Sequence, residues 1–262
     1  MVKNNADNKL PRVTIITAVY NGVRHIEQTI KSIIEQDYPN LEYIIIDGGS
    51  NDGTVDILKK YESKIDFWLS ERDLGISDAF NKGLVRATGD YMNFQGDGDQ
   101  LRKPDILSQI FKNVDPYSDI LVNTLVERTY ENGNTKFISK FYPVISKKKL
   151  LYRLTLPHQG LFTHKNYFEK FGNFDINNVF CMDYEILLRS YRDFPKVKTL
   201  NLIASKWRDD GIGNGRELEI LREYHQIKIK NMVGPRLYLE FINTWIFFKY
   251  YFKKSLGFYV KY

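Results

Sequence analysis

The sequence has 262 residues, 43% of them hydrophobic and 15% aromatic, enough apolar material to bury the core of one α/β domain with extensions. Its single cysteine, Cys181, excludes an intramolecular disulfide framework, and the lack of any run of about 18 apolar residues excludes a membrane-spanning helix. The net charge of +6 suits an anionic partner such as a nucleotide diphosphate or a phospholipid surface.

Residues 1–10 are polar, lack the apolar core of a signal peptide and read as a flexible N-terminus. Residues 13–19, between Pro11 and Asn21-Gly22, form a short β-branched run without alternation, the pattern of a strand buried on both faces. Val23, Ile26, Ile30, Ile33 and Ile34 follow at helical spacing and stop before Pro39. Residues 41–46 read as a second buried strand, and Val55, Leu58 and Tyr61 as a short helix. Phe67-Trp68-Leu69 predicts a short strand. Ile76, Ala79, Phe80, Gly83, Leu84 and Ala87 predict a helix, and residues 91–94 a further strand. Strands alternating with helices predict βαβ units and a mostly parallel sheet, with ligands at the carboxyl ends of its strands. After Pro104 the rhythm changes. Residues 120–127 and 136–142 read as longer strands around Asn132-Gly133, a hairpin signal. Residues 181–192 and 218–232 read as helices.

Three polar clusters follow the buried strands. In Gly96-Asp97-Gly98-Asp99 two carboxylates sit two residues apart between glycines that let the backbone turn tightly. Carboxylate oxygens suit Mg²⁺ or Mn²⁺, which also accept diphosphate oxygens as ligands and neutralise charge on a departing phosphate. Asp47-Gly48-Gly49-Ser50-Asn51-Asp52-Gly53-Thr54 follows the second strand. Asp47 there is a candidate ligand for a base or ribose, while Asp52 fits a helix-capping role as well as a ligand role. The third cluster, Thr17-Ala18-Val19-Tyr20-Asn21-Gly22, reads by itself as a strand end and a turn.

Together with Ser77-Asp78-Ala79-Phe80-Asn81-Lys82-Gly83, these clusters resemble, in order and spacing, the motifs of family 2 glycosyltransferases, above all bacterial enzymes that build surface polysaccharides such as O-antigen or capsule. The resemblance covers about residues 11–205 and implies a GT-A fold: a mostly parallel central sheet with flanking helices. The nucleotide-binding part would span about 11–100 and the acceptor part about 101–205, with residues 206–262 as a helical C-terminal extension. The resemblance implies an inverting transferase that moves one sugar from a nucleotide-sugar donor, UDP-linked by preference, to a hydroxyl of a glycan or lipid-linked acceptor. Thr17, Tyr20, Asn21, Asp47, Asp78, Lys82 and Asp97 would bind the donor nucleotide. Asp99, with Asp97, would hold Mn²⁺ or Mg²⁺, although Gly98 stands where many relatives have an aspartate. Met182-Asp183-Tyr184-Glu185 aligns with the family's catalytic pair, with Met in place of Glu, and makes Asp183 the base. Glu185 points about 200° away on a helix and cannot serve the same site. His158 and Gln159 correspond to a position near the acceptor. Lys206-Trp207-Arg208 does not match the Gln-x-x-Arg-Trp motif of processive synthases, which favours one transfer per encounter. The other reading of these motifs is a catalytically silent nucleotide-sugar-binding module.

The tail is distinct. Residues 234–262 hold eleven aromatics and five basic residues against one acid, Glu240. Such a segment fits the headgroup region of an anionic membrane, or packing on the domain or on a second subunit. With no RRM-like strand motif, nucleic acid is not expected as a partner. The expected location is the cytoplasm, peripheral to the inner face of the cell membrane.

Overall fold

The computed structural model describes residues 10–130, 134–208, 211 and 213–256. The expected flexible N-terminus lies almost wholly outside them, as does the Asn132-Gly133 turn.

The first strands form where the apolar runs stand. β1 (Val13–Val19), β2 (Leu41–Asp47) and β4 (Tyr91–Gly96) pair in parallel, with β1 in the centre and the short β3 (Phe67–Ser70) added beyond β2. All seven residues of β1 are buried, because both of its faces are covered. Ile16 and Ala18 point into one core with Ile44, Ile46, Phe80 and Phe94. Val13 and Ile15 point into the other with Tyr43, Ile45, Ile26 and Ile30. Helices α1 (Ile26–Ile34) and α2 (Thr54–Tyr61) cover the second face, and α3 (Ile76–Arg86) the first. Helix α3 approaches β1 closely at Gly83, where a Cβ would stand 2.4 Å from Ile16 Cγ2. Gly83→Ala is therefore expected to destabilise the chain by about 1–3 kcal/mol through overpacking. Thermal denaturation checks this, and an unchanged or higher Tm would refute it.

Beyond β4 the sheet becomes mixed. β5 (Gln100–Leu101) and α4 (Ile106–Phe111) are followed by β6 (Leu121–Thr129), which bears β7 (Thr135–Ile138) on one edge. These are the two expected strands of the second half, with the distal one shorter than the 136–142 expected. After α5 (Lys147–Leu150) come β8 (Leu161–His164) and α6 (Lys165–Phe171). β8 joins the halves, pairing antiparallel with β4 and with β6. α7 (Met182–Arg189) realises the helix expected over 181–192, and β9 (Val197–Arg208) runs parallel to β6 on its other edge. β5 closes the order β3-β2-β1-β4-β8-β6-β9-β5. β9 carries the sheet to Arg208, slightly past residue 205.

Two helices complete the chain, α8 (Glu217–Lys230) and α9 (Arg236–Ser255). They share a core with α7: Tyr224 of α8 stacks on Tyr184 at 4.1 Å between centroids, and Leu239, Ile242, Ile246 and Tyr250 of α9 join the same cluster. Among the described residues no helix is long and apolar enough to cross a membrane.

Candidate active site

The loops after β1, β2 and β4 lie side by side because the parallel register aligns their ends: Val19 is opposite Asp47, and Ala18 is opposite Gly96. The first two loops are stitched together. Asn21, at φ 51°, donates its amide to Ser50 Oγ at 2.7 Å and accepts from the Asn51 amide at 3.1 Å. Gly22 N donates to Thr54 Oγ1, and Val23 N to Asp52 Oδ2. Asp52 also accepts from the Thr54 amide and hydroxyl, which makes it a loop-fixing residue at the start of α2. Tyr20 stands 64% exposed on the rim these contacts create.

Beneath the rim the expected donor residues divide by role. Thr17 is fully buried, and its hydroxyl shares a hydrogen bond of 3.2 Å with Tyr43 OH. Asp47 is also fully buried. It accepts from the amides of Gly49 and Ser50 and from the hydroxyls of Ser50 and Ser70. In this arrangement Asp47 shapes the loop that a nucleotide would meet, and its carboxylate faces that loop. Lys82 pairs with Glu71 at 2.8 Å and with Asp78 at 3.4 Å, and donates to the Arg72 carbonyl. The Glu71 contact is the main reason its pKa is raised. Asp78 accepts from the Leu74 amide, so Asp78 and Lys82 together fix the turn that leads into α3.

The carboxylate loop follows β4. Gly98 adopts φ +88°, which favours glycine, and its amide is held by Thr29 Oγ1 at 2.8 Å. Asp99 Oδ2 accepts from the Gly96 amide at 2.8 Å, and Gln159 lies near enough to favour its ionised form. Asp99 is 7% exposed. Burial pushes its carboxyl up to about 6, and the neighbouring Asp97 adds to the rise. Asp97 lies over Gly22: a Cβ there would stand 2.8 Å from Asp97 Oδ2.

A buried amide network ties this loop to the second half of the sheet. The Gln159 carbonyl accepts from Gln95 Nε2, Asn93 Nδ2 and Ser205 Oγ, the last at 2.6 Å. Asn93 also donates to the carbonyls of His158 and Leu161. Sequence reasoning missed Asn93, Gln95 and Ser205. The signal for Asn93 and Gln95 is polarity inside the otherwise apolar β4, where a buried amide must find partners, while Ser205 in the mixed strand β9 carries no such signal.

The network holds His158 where its Nδ1 lies 3.2 Å from Asp183 Oδ2, in the first turn of α7. Burial alone would lower the His158 pKa, but the hydrogen bond to Asp183 and the charges of Asp183 and Asp99 outweigh it and raise the pKa. Asp99, Gln159, His158 and Asp183 are thus neighbours, with His158 and Asp183 in direct contact. Glu185 stands elsewhere, as its position on the helix required. It is 1% exposed, paired with Arg189 and bonded to Asn231 Nδ2. Arg189 in turn donates to the carbonyls of Phe171 and Asn173. Glu185→Ala is expected to cost about 1–3 kcal/mol by removing the carboxylate partner of the half-buried Arg189 guanidinium and the contact to Asn231. Chemical denaturation measures this, and a loss below about 1 kcal/mol would refute it. Cys181 is 2% exposed, and burial pushes its thiol far above the ordinary range, so it is no nucleophile.

The donor set suits a hard divalent cation. Asp97 and Asp99 supply only oxygen, and among the described residues no third acidic or histidine side chain completes a closed cage. Such a pair leaves positions open for diphosphate oxygens and water, as Mg²⁺ and Mn²⁺ sites at phosphates require. The desolvated Asp99 carboxyl is a group that a cation would stabilise as the anion.

A glycosyltransferase of Mycobacterium tuberculosis is 29% identical over 214 residues, 79% of each chain. The putative teichuronic acid biosynthesis glycosyltransferase TuaG of Bacillus subtilis is 39% identical over 106 residues, 39% of this chain and 42% of that one. Among solved structures, S. aureus TarS in complex with UDP-GlcNAc superposes with a TM-score of 0.70 at 16% identity, covering 90% of this chain and 71% of that one. The mannosyltransferase PcManGT of Pyrobaculum calidifontis, in complex with GDP-Man and Mn²⁺, gives 0.65 at 20% identity over 91% and 72%. These likenesses show the GT-A-type fold. The glycosyl transferase family 2 model matches residues 14–189, which include every loop described above, and the chain therefore belongs to that family of glycosyltransferases.

Proposed function

We propose that the chain moves one sugar per encounter from a nucleotide-diphosphate sugar, UDP-linked by preference, to a hydroxyl of a glycan or lipid-linked acceptor during surface-polysaccharide assembly, with inversion at the anomeric carbon. One observation carries the reading: the His158–Asp183 pair is tied to the strand that ends in the Asp97–Asp99 loop, because Gln95 Nε2 donates to the Gln159 carbonyl beside His158 at the carboxyl edge of the sheet. TarS with UDP-GlcNAc and PcManGT with GDP-Man and Mn²⁺ support a nucleotide-sugar donor and a metal.

The exposed ring of Tyr20 offers a face for the base, above loops that Asn21 and Asp47 hold rigid. Asp99 and Asp97 would hold Mn²⁺ or Mg²⁺, which supplies charge neutralisation for the departing diphosphate. Asp183 takes the proton of the acceptor hydroxyl as its oxygen attacks from the face opposite the leaving group. His158 positions that carboxylate, and Gln159 links it to the metal loop. Residues 11–100 then serve the donor and 101–205 the acceptor.

The test is donor hydrolysis by the purified chain across UDP-, GDP- and dTDP-sugars, with Mn²⁺ or with EDTA, alongside nucleotide binding by calorimetry. Slow release of one nucleotide, abolished by EDTA, is the expected result. Nucleotide binding without turnover, even with acceptor extracts, would identify a silent binding module. Absence of any metal-dependent nucleotide binding would overturn the assignment.

A further inference from the structure

Helix α9 covers the core with one face and leaves the other bare. Leu239, Ile242, Ile246 and Tyr250 are buried against the domain. On the outward side, Leu237, Phe241, Trp245, Phe248 and Phe252 fall within an arc of about 80° at helical spacing. Leu237 is 86% exposed, Phe241 69% and Phe248 58%. Thr244, Tyr251 and Ser255 widen the arc to about 120°, and no charged residue interrupts it. The rings are ordered among themselves: Trp245 stacks on Phe248 and Phe248 on Phe252. A water-facing helix surface is ordinarily polar, so this order is reversed.

Charge borders the arc. Lys249 lies on one flank and Arg236 and Lys254 on the other, while the helix's one acid, Glu240, is paired with His225 at 3.0 Å. The fold adds a second basic element that sequence reading left unused. Helix α5 is the run Lys147-Lys148-Lys149-Leu150, with Lys148 and Lys149 exposed. Tyr152, just after it, lies near Tyr238 in the first turn of α9, which brings the lysine turn close to the aromatic arc.

We infer that α9 lies in the plane of an anionic lipid surface, with its aromatic arc in the headgroup region and the lysines of α9 and α5 on acidic headgroups. The occupant follows from the chemistry of the face. Aromatic rings with basic flanks match an interface that is apolar below and negative above. A second copy of the chain would bring the same basic flanks to the contact. This inference goes beyond the transfer reaction, and its test needs neither donor nor turnover.

The test is flotation of the full chain with vesicles of phosphatidylcholine alone, or with about a third phosphatidylglycerol, at low and high salt. The chain is expected to float with the anionic vesicles at low salt and to be released by salt. Phe241→Ser combined with Phe248→Ser is expected to weaken partitioning at least about tenfold, since both rings are exposed and the core is untouched. Lys249→Glu combined with Lys254→Glu is expected to weaken it similarly and to flatten the salt dependence. Near-UV circular dichroism confirms that each variant is folded. Failure of the wild-type chain to float, equal binding to neutral vesicles, or indifference to the serine variant would overturn the inference. So would a wild-type dimer, seen by light scattering, that the serine variant converts to monomer.

Discussion

Asp183→Asn is expected to lower kcat by about 10²- to 10⁴-fold, the range spanned by a positioned general base, while leaving nucleotide binding within a factor of about two. The amide fills the same space and can still hydrogen-bond His158, so the fold and the neighbouring Tyr184 amide contact are kept. What it loses is a carboxylate able to take a proton. Asp183 is 16% exposed at the side chain, half-open at the start of α7, whereas Glu185 is 2% exposed and committed to Arg189. The two carboxylates are therefore expected to fail differently: loss of Asp183 should lower turnover in a stable protein, and loss of Glu185 should lower stability. Single-turnover kinetics with calorimetric donor binding separates these outcomes. An Asp183→Asn chain that retains more than about a tenth of wild-type kcat would remove Asp183 from the base role.

That Asp183 and Glu185 face different surroundings was legible before any fold, because helical geometry alone sets them on different faces. So were the elements of the first half. β1, β2 and β4 are unbroken apolar runs, and α1 and α3 repeat at helical spacing, so local pattern and tertiary burial point the same way. The second half was less legible. β8 and β9 carry no comparable run: β9 mixes lysines, threonine and asparagine with its apolar residues, and it is a strand because β6 pairs with it from far away in the chain. The same reason hid Asn93, Gln95 and Ser205, whose partner, the Gln159 carbonyl, comes from a distant segment. The site was legible as a set of loops but not as a division of labour. Nothing local tells that Asp47 and Thr17 are sealed under the rim while Tyr20 stands on it. The tail was legible as aromatic and basic. Its bare arc becomes visible only once the opposite face of α9 is buried against α8.

Asp99→Asn is expected to abolish metal-dependent turnover, by about 10³-fold or more if the cation carries most of the leaving-group stabilisation, without lowering the stability of the metal-free chain. The second half of that expectation follows from sign. Burial raises the Asp99 carboxyl from an ordinary value of 3.8 to about 6, so the native chain holds its proton more tightly than the unfolded chain does. The contribution of this group to stability therefore falls as pH rises from about 4 to 6, and at neutral pH the ionised carboxylate costs on the order of 1–3 kcal/mol when no cation is present. An amide escapes that cost and still accepts from the Gly96 amide. The metal-free variant should thus melt at or above the wild-type temperature at pH 7, and below it or equal to it near pH 4. Binding runs the other way. A cation needs the carboxylate, so wild-type metal affinity should fall about tenfold per pH unit below 6, and the acid limb of activity should move to lower pH as metal concentration rises. Melting curves and pH–rate profiles at two Mn²⁺ concentrations read both effects. An acid limb that ignores added metal, in a chain whose Asp99→Asn variant still turns over, would show that the loop after β4 holds no catalytic cation.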